Sequence, residues 1–473
     1  MPAPTRVLHE DRCFDPDPAT RRVARELHAG TRDLPIVSPH GHVDPRLLAD
    51  DAPFPDPAAL LVTRDHYVTR MLHAGGISLA ALGIPRRDGG PVETDPRRVW
   101  QLFADHYQLF LGTPSRFWID YQLHDVFGVR TPLRGDTGMR VYDELLERLR
   151  TPEFRPRALF TRFNIEVLAT TDGAADSLEH HRAIRESGWS GRVIPTFRPD
   201  ALFRVADGGW VTALGQLARA TGAPIVDYAG FNSALEQRRA FFRSHGATAT
   251  DHAVVEPWTG TLDRGEAERI FQRGRDGTAT ADDQRRFEGH LLMEMARMSV
   301  EDGLVMQLHA GALRDHDRAT FEQHGADRGG DIPVRVEFSR NLQALLNAHG
   351  NDPRFTLILF TLDESTYGRE LAPLAGHYPA VRLGPPWWFH DSTQGMTRFR
   401  EQTIASAGIW KTAGFNDDTR AFCSIPARHD LSRRMDANFL AGLVARHVLD
   451  IGDARLLARA MAYDLARDAY RLR

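Results

Sequence analysis

The chain has 473 residues, of which 42% are hydrophobic and 26% are charged, a composition typical of a globular enzyme. This length fits one elaborated barrel or two to three ordinary domains. The net charge of −4 and the pI of about 6.6 leave no basic footprint for nucleic acid, and no apolar run approaches the ~18 residues of a membrane span.

Cysteine and lysine usage narrows the chemistry further. Cys13 and Cys423 are the only cysteines, so no disulfide framework is expected and a cytoplasmic location is predicted. The polar, proline-rich start of the chain does not resemble a signal peptide. Lys411 is the single lysine, at the expected start of a strand on the wrong face of a barrel. Pyridoxal enzymes, Schiff-base aldolases and Walker phosphate loops all need a lysine and are therefore disfavoured.

The first strand carries two histidines. After a short helical lead-in over 1–33, which stops at Gly30, the stretch LPIVSPHGHVDP (34–45) runs from apolar residues into His40 and His42. A buried strand has this pattern. Residues i and i+2 of a strand point to the same side, so both imidazoles should leave its C-terminal end together and could share one cation. With 21 histidines in the chain, one such pair is expected by chance, so the context must decide.

The rest of the chain predicts a barrel. Helical patterns broken by glycine and proline fill 46–160, which we interpret as a mostly helical insertion over the barrel mouth. Short apolar runs ending in polar residues then recur and predict seven more strands. These runs are 165–172, 192–200, 246–253, 303–311, 355–365, 380–389 and 409–422. The run 222–230 competes with 246–253 on β propensity.

Helices between most of these runs complete the pattern. A helical excursion is expected over 256–300, between strands four and five, with Thr280 and Asp283 as a capping signal. Eight strands alternating with helices predict the α/β class, with a single (β/α)8 TIM-type barrel over 1–473.

Polar and aromatic residues follow every predicted strand. They are His40, His42, Asp172, Arg198, Asp251, His252, His309, Asp363, Trp387, Trp388, Asp417, Asp418 and Arg420. Barrel enzymes place their active sites at the C-terminal ends of the strands. Any one of these aspartates could equally be a helix cap, but eight such strand ends together predict an active site.

The first and eighth strands are neighbours in a closed barrel, so His40, His42 and an aspartate near 418 would lie together. Two imidazoles and one carboxylate suit zinc or another divalent transition metal with open positions. His309 stays open between a further ligand, an acid–base group and a hydrogen-bonded barrel histidine. Arg198 and Arg420 offer bidentate donors for a carboxylate or phosphate.

One motif of interest lies outside the barrel. RDHYVTR places His66, Tyr67 and Arg70 in the helical insertion, with His66 and Arg70 on one helix face. Such residues usually serve surface or packing roles. They matter for chemistry only if the insertion covers the barrel mouth.

Jointly, the motifs resemble those of the uronate isomerases (glucuronate isomerases) of the amidohydrolase superfamily, over essentially the whole chain. The matching motifs are SPHGHVDP (38–45), DHYVTRML (65–72), TTDGAADSLEHH (170–181), FRPD (197–200), TDHA (250–253), QLHAGALR (307–314), GPPWWFHD (384–391) and FNDDTRAF (415–422). Two departures stand out: HGH replaces the more familiar HCH, and Ser38 replaces an acidic residue. Neither removes a functional group that we assign.

The resemblance implies an amidohydrolase-type barrel with one divalent metal, Zn²⁺ before Mn²⁺ or another divalent ion. His40, His42 and Asp418 match the family's metal ligands. The positions matching its active site are His66, Tyr67, Arg198, Asp251, His309 and Arg420. Asp418 and Arg420 are also expected to act in catalysis, and Arg70, Trp387, Trp388 and Arg420 in substrate binding.

The predicted function is an aldose–ketose isomerase. It would interconvert D-glucuronate with D-fructuronate, and D-galacturonate with D-tagaturonate, by C2-to-C1 proton transfer through a cis-enediol. Tyr67 and Asp418 are the leading candidates for the base. A mononuclear metal-dependent hydrolase or decarboxylase is the alternative, and a sugar-acid-binding barrel without catalysis a third. A hexuronate is the expected partner, without nucleic acid or membrane, and a homo-oligomer is left open.

Overall fold

A computed structural model describes residues 8–472; the first seven residues of the predicted lead-in lie outside the described part. The strands are β1 Ile36–Ser38, β2 Ile165–Ala169, β3 Asp172–Gly173, β4 Val193–Ile194, β5 Phe197–Arg198, β6 Ala249–Val254, β7 Val305–Ala310, β8 Ala312–Leu313, β9 Ile332–Pro333, β10 Leu357–Thr361 and β11 Val381–Leu383.

The α-helices are α1 Pro18–Ala29, α2 Arg46–Asp50, α3 His66–Ala74, α4 Pro96–Asp105, α5 Pro114–Tyr121, α6 Gly138–Leu149, α7 Pro156–Arg162, α8 Glu179–Glu186, α9 Asp200–Phe203, α10 Trp210–Thr221, α11 Tyr228–Ser244, α12 Arg264–Arg275, α13 Ala281–Asp302, α14 Arg318–His324, α15 Gln343–His349, α16 Ala372–His377, α17 Thr393–Ala407, α18 Ile425–Ala445, α19 Ile451–Arg459 and α20 Leu465–Ala469. Shorter 3₁₀ or π turns span Ala59–Thr63, Ala80–Leu82, Tyr107–Phe110, Gln122–Val126, Gly135–Thr137, Pro152–Phe154, Tyr367–Leu371, Trp388–His390, Ile409–Lys411, Phe422–Ser424 and Ala460–Asp464.

The parallel strands follow the chain order around a TIM-type α/β fold, as the sequence predicts. One sheet has the order β1-β2-β4 and the other β3-β5-β6-β7-β10-β11, all parallel. The Thr196 N–H donates to the Thr170 carbonyl (3.0 Å), and this hydrogen bond joins the two sheets where β2 passes into β3 and β4 into β5. The interruption in the second pair coincides with Pro195, which has no N–H to donate to a ladder.

The eighth predicted strand, 409–422, is wrong in its secondary structure. Residues Ile409–Lys411 form a 3₁₀ turn, and only the bridge between Leu383 and Thr412 pairs this segment with β11. Gly414 has φ +73° and lies so close to α20 that an added Cβ would sit 2.7 Å from the Ala466 nitrogen. That left-handed residue breaks an extended ladder. The backbone N–H of His42 donates to the Thr419 carbonyl (3.0 Å) across the seam with β1.

Three further expectations are settled locally. The strand 246–253 exists as β6, whereas the competing 222–230 runs into α11. Thr280 and Asp283 cap α13 reciprocally, with the Asp283 N–H donating to Thr280 Oγ1 (3.1 Å) and the Thr280 N–H to Asp283 Oδ2 (2.9 Å). Gly30 follows the last residue of α1, as predicted.

Aliphatic side chains from neighbouring strands fill the ring. Val37, Val167, Val305 and Ile358 belong to one buried cluster, which Tyr470 joins near the end of the chain. Tyr470 Oη donates to Gln307 Oε1 (2.9 Å) on β7, so its phenol is fixed beneath the ring. The strands therefore form a packed scaffold and not a pore.

The single lysine lies at the opposite end of the ring from the C-terminal ends of the strands. Lys411 Nζ donates to the carbonyls of Tyr378 (2.9 Å) and Pro379 (3.1 Å), and partial burial lowers its pKa to about 8. Between β1 and β2 the chain forms only helices and turns, α2 to α7. Over residues 8–472, no helix combines the length and the apolar character that crossing a bilayer requires.

Candidate active site

A cavity of about 420 Å³ opens at the C-terminal ends of the strands. Ten of the predicted site residues line it: His40, His42, His66, Arg198, Asp251, His309, Trp387, Trp388, Asp418 and Arg420. Tyr67 and Arg70 do not contribute to its wall. The sequence missed other charged residues of the wall, namely Asp200, Arg204, Arg314, Asp315, Asp327 and Asp331.

The two histidines reach the cavity from beyond the end of β1. The strand ends at Ser38, so the alternation of β1 does not itself orient the two imidazoles as expected. The segment that follows is held by the hydrogen bond from the His42 N–H to the Thr419 carbonyl. His42 Nε2 lies 3.1 Å from Asp418 Oδ1, and His40 Nε2 lies 3.5 Å from the same oxygen. Their rings are 5.3 Å apart between centroids.

Asp418 occupies an uncommon backbone conformation. Its φ is +38°, in the left-handed region that costs a non-glycine residue free energy and recurs at functional sites. Burial raises the pKa of its carboxyl, but His40 and His42 outweigh burial and hold that pKa well below its usual range. The preceding Asp417 turns away and meets His429 Nε2 at 3.2 Å. Asp418, and not Asp417, is therefore an ionised carboxylate that faces the cavity.

His309 lies beside these donors, which makes a role as a metal ligand possible; the sequence left its role open. One donor atom each from His40, His309 and Asp418 lies within 4.8 Å of the others. The rings of His40 and His309 stack at 4.8 Å, and the Phe360 ring stacks on His309 at 4.0 Å. His309 Nδ1 is 2.7 Å from Asp251 Oδ1, while its Nε2 is buried without a hydrogen-bond partner within residues 8–472.

These donors fit a divalent metal ion. Burial lowers the pKa of His40 to about 4, so its imidazole is neutral at pH 7 and has a free lone pair. The buried Nε2 of His309 is unpartnered, which is costly unless a ligand or ion completes it. Two or three imidazoles with one carboxylate are donors that divalent transition metals accept. A divalent-metal site is thus supported, with His309 as an additional candidate ligand.

Asp251 and Arg198 form the opposite side of this group. Asp251 accepts from His309 through Oδ1, and its Oδ2 lies 3.5 Å from Arg198 Nε. Burial raises the Asp251 pKa, yet His309 and Arg198 hold it well below the usual range. Arg198 Nε also donates to Asp200 Oδ2 (2.7 Å). The neighbour His252 points to the other face of β6, where its Nε2 meets Thr250 Oγ1 (3.0 Å).

Trp388 and the start of α3 form one wall of the cavity. The His66 ring lies 4.4 Å from Trp388, which itself has φ +55°. Tyr67 packs behind them, 4.5 Å from Trp388 between ring centroids. Helix α3 begins at His66 because the Asp65 carboxylate accepts from the Tyr67 N–H (2.9 Å). The insertion thereby contributes His66 directly to the cavity.

A buried collar lies behind this wall: Tyr67, Trp118, Asp391 and Arg428. Arg428 NH1 donates to Asp391 Oδ2 (2.7 Å), and its guanidinium stacks 3.6 Å from the Trp118 ring and 4.6 Å from that of Tyr67. Tyr67 Oη reaches Asp391 Oδ2 at 3.5 Å. Burial raises the pKa of Asp391 to about 8, against the lowering effect of Arg428. Only the HD at the end of GPPWWFHD signals this residue in the sequence.

A larger cavity, about 910 Å³, lies at the other end of the ring near α1 and α18. Two of its arginines share one carboxylate: Arg12 NH2 and Arg434 Nε both contact Asp430 Oδ2, at 2.7 and 2.8 Å. The metal-binding donors and the strand ends are all in the smaller cavity, which is therefore the candidate active site.

The fold and this site together define a TIM-type barrel enzyme with a His/Asp site for a divalent metal. A family model described as glucuronate isomerase matches residues 19–469. A uronate isomerase of Rhizorhabdus wittichii is 55% identical over 470 residues, 99% of each chain, and one of Nostoc punctiforme is 54% identical over 98% of each. The crystal structure of a glucuronate isomerase from Caulobacter crescentus superposes with a TM-score of 0.97 at 49% identity, covering 99% of this chain and 98% of that one.

The chain belongs to the glucuronate isomerase family. It is an isomerase, and the resemblance read from the motifs is confirmed. The relatives give no support to the hydrolase or decarboxylase alternative.

Proposed function

We propose that the protein interconverts D-glucuronate and D-fructuronate, and D-galacturonate and D-tagaturonate, in the cavity at the strand ends. The observation that carries this proposal is the convergence of His40, His42, His309 and Asp418 beside Arg198 and Arg420. A hexuronate brings a carboxylate for the arginines and a carbonyl whose neighbouring carbon must lose a proton. The names of the full-length relatives support the same reaction.

Asp418 is our choice for the base that moves the proton from C2 to C1. It is ionised and faces the cavity, whereas both oxygens of Asp251 are engaged by His309 and Arg198. Tyr67, the other leading candidate, is outside the cavity wall. Burial and Asp391 raise its pKa well above the usual value, so the phenol keeps its proton at neutral pH.

The proton balance needs one base and one donor. Asp418 removes the C2 proton from the open-chain sugar while O1 takes up a proton, which gives the cis-enediol. The O2 hydroxyl then loses its proton as C1 receives the one held by Asp418, and the ketose results. Burial and Arg420 hold the pKa of His66 well below its usual range, so its imidazole is neutral; from the cavity wall it would donate its ring N–H proton to O1 and recover a proton from O2. Arg198 and Arg420 position the sugar carboxylate.

A bound zinc ion, or manganese in its place, would polarise sugar oxygens as a Lewis acid. His40, His42 and Asp418 would hold it, with His309 as the further candidate. Asp251 would orient His309 by accepting its Nδ1 proton, which leaves Nε2 unprotonated. The insertion 46–160 would act as the cover of the cavity through His66. A cytoplasmic location and a homo-oligomer stay predictions.

The deciding experiment follows ketose formation from D-glucuronate and D-galacturonate by NMR, before and after verified metal stripping. We expect ketose with the native protein, its loss on stripping and its return with zinc or manganese. Ketose formation that survives stripping would remove the metal from the proposal. No ketose from either sugar in metal-replete protein would contradict the proposed function.

A further inference from the structure

The segment from β8 to β9 forms part of the cavity wall. It leaves the end of β7, pairs β8 with β9 in an antiparallel ladder and carries α14 between them. Arg314, Asp315, Asp327 and Asp331 from this segment all line the cavity. This segment is separate from the metal-binding donors, and no sequence pattern marks its acidic residues as part of the site.

One of these residues pairs with a substrate-binding candidate. Asp327 Oδ2 lies 3.0 Å from Arg420 NH2, with 53% of the Asp327 side chain and 34% of the Arg420 side chain exposed. The other arginine proposed to hold the sugar carboxylate, Arg198, is held between Asp200 and the buried Asp251. The Arg198 partners are fixed and enclosed, whereas the Arg420 partner is open to solvent and can be exchanged.

The backbone presents Asp327 to the cavity. Asp327 has φ +63°, and its N–H donates to Asp315 Oδ1 (3.0 Å). Gly329, at φ +84°, packs on α3 so closely that an added Cβ would lie 2.8 Å from Arg70 Cβ. The loop that carries Asp327 is therefore held in place by these two contacts, and it directs the carboxylate toward the cavity. Burial raises its pKa, but Arg420 and Arg314 outweigh burial and lower it, so the group is ionised at neutral pH.

We propose that Asp327 is a tethered counterion of Arg420, which a sugar-acid carboxylate displaces and which excludes small inorganic anions from the cavity. This inference rests on the proposed function in taking a hexuronate carboxylate as the displacing group. It makes Asp327 a residue that sets how tightly anions bind at Arg420.

The physical basis is competition at one guanidinium. An exposed ion pair contributes little free energy, so a ligand with several other anchors can replace it. A uronate has such anchors in its hydroxyl groups. Sulfate has no hydroxyl groups, so its ion pair with Arg420 would be the main interaction that compensates for displacing Asp327. The tether keeps a carboxylate close to Arg420 at all times and so raises its effective concentration.

The test compares the metal-loaded wild type with Asp327→Asn. Binding of D-gluconate, which has the carboxylate but no carbonyl to isomerise, is measured by calorimetry, and binding of sulfate by its competition with gluconate. We expect both anions to bind about two- to fivefold more tightly to the variant, the range that loss of an exposed ion pair allows. Asp143→Asn is the matched control, because Arg97 and Asp143 form an exposed pair of similar geometry (2.8 Å) on the insertion.

Equal affinities in wild type and Asp327→Asn would overturn the proposal. Weaker gluconate binding by the variant would also overturn it, since Asp327 would then contact the sugar itself. The same tightening in Asp143→Asn would reduce the effect to net charge and overturn it too. Gluconate and sulfate do not react, so their binding can be measured even if the protein forms no ketose. Failure of this proposal can therefore be distinguished from failure of the proposed function.

Discussion

The cavity floor and the collar behind the cavity wall use the same residue types to opposite effect. The floor comprises the metal-binding donors together with Asp251 and Arg198. In the floor, Asp418 and Asp251 face imidazoles and an arginine, which hold their pKa values low and keep them ionised. In the collar, burial outweighs Arg428 and raises the pKa of Asp391 to about 8. Carboxyl groups whose environments push their pKa values apart take different roles. Changes in the floor should therefore affect turnover, and changes in the collar should mainly affect stability.

The largest expected effect is that of Asp418→Asn. The amide can neither accept the C2 proton nor provide a charged ligand, so kcat should fall by at least about 10²-fold. Steady-state assay with metal analysis of the purified variant checks this. Turnover close to that of the wild type would remove Asp418 from the proton transfer and weaken the contrast between the two regions.

Asp251→Asn should have the next largest effect. The change removes the charged acceptor that fixes the His309 Nδ1 proton, so we expect a loss of about 10- to 100-fold in metal affinity or kcat. Competition with a chelator and steady-state kinetics separate the two. Unchanged values for both would show that His309 needs no orienting partner.

Asp391→Ala tests the collar. It leaves the buried Arg428 without its hydrogen-bond acceptor, which should destabilise the fold by about 1.5–3 kcal/mol, while kcat changes by less than about tenfold. Asp436→Ala is the matched control, since Asp436 also pairs with a buried arginine, Arg400 (2.9 Å). Chemical denaturation and assay of both variants should give similar destabilisation. A loss of activity in Asp391→Ala at unchanged stability would assign chemistry to the collar.

Tyr67→Phe should cost less still. Its hydroxyl makes a long contact with Asp391 (3.5 Å) behind the cavity wall, so its removal should cost about 1 kcal/mol of stability and less than tenfold in kcat. Thermal denaturation and steady-state kinetics measure both. A loss of activity as large as that of Asp418→Asn would restore Tyr67 as the base.

The last prediction concerns the slope of stability with pH. Folded Asp391 keeps its proton up to about pH 8, whereas in the unfolded chain it ionises near the ordinary value of 3.8. Between these values the folded state holds more protons, so stability falls as pH rises, by up to about 1.4 kcal/mol per pH unit for one group. Asp391→Asn should flatten this fall between pH 5 and 8. An unchanged slope in denaturation midpoints would place the ionised form in the native collar.

The sequence predicted most of the floor because each floor residue follows a short apolar run. His309 and Asp251 lie within strands that exist, β7 and β6, and their identities are visible in QLHAG and TDHA. The segment 409–422 failed as a strand because Gly414 packs against α20 in a left-handed conformation, which no apolar pattern reveals. Even there, Asp418 reached the cavity as expected.

The collar and the Asp327–Arg420 pair could not be predicted in the same way. Asp391 and Arg428 meet across 37 positions, and Asp327 belongs to a loop whose geometry depends on Asp315 and on Gly329 against α3. Isolated aspartates and arginines of this kind are indistinguishable from surface residues until the packing is known. Periodicity locates strands and their ends, but it does not locate partners that only the tertiary fold brings together.

The lone lysine offers a practical handle for biophysics. An amine-reactive fluorophore has one lysine side chain to attach to, at the end of the ring opposite the cavity, and the lowered pKa of Lys411 makes that amine more nucleophilic near pH 8. A dye attached there would report on tumbling, assembly and surface immobilisation without blocking access of the sugar to the cavity.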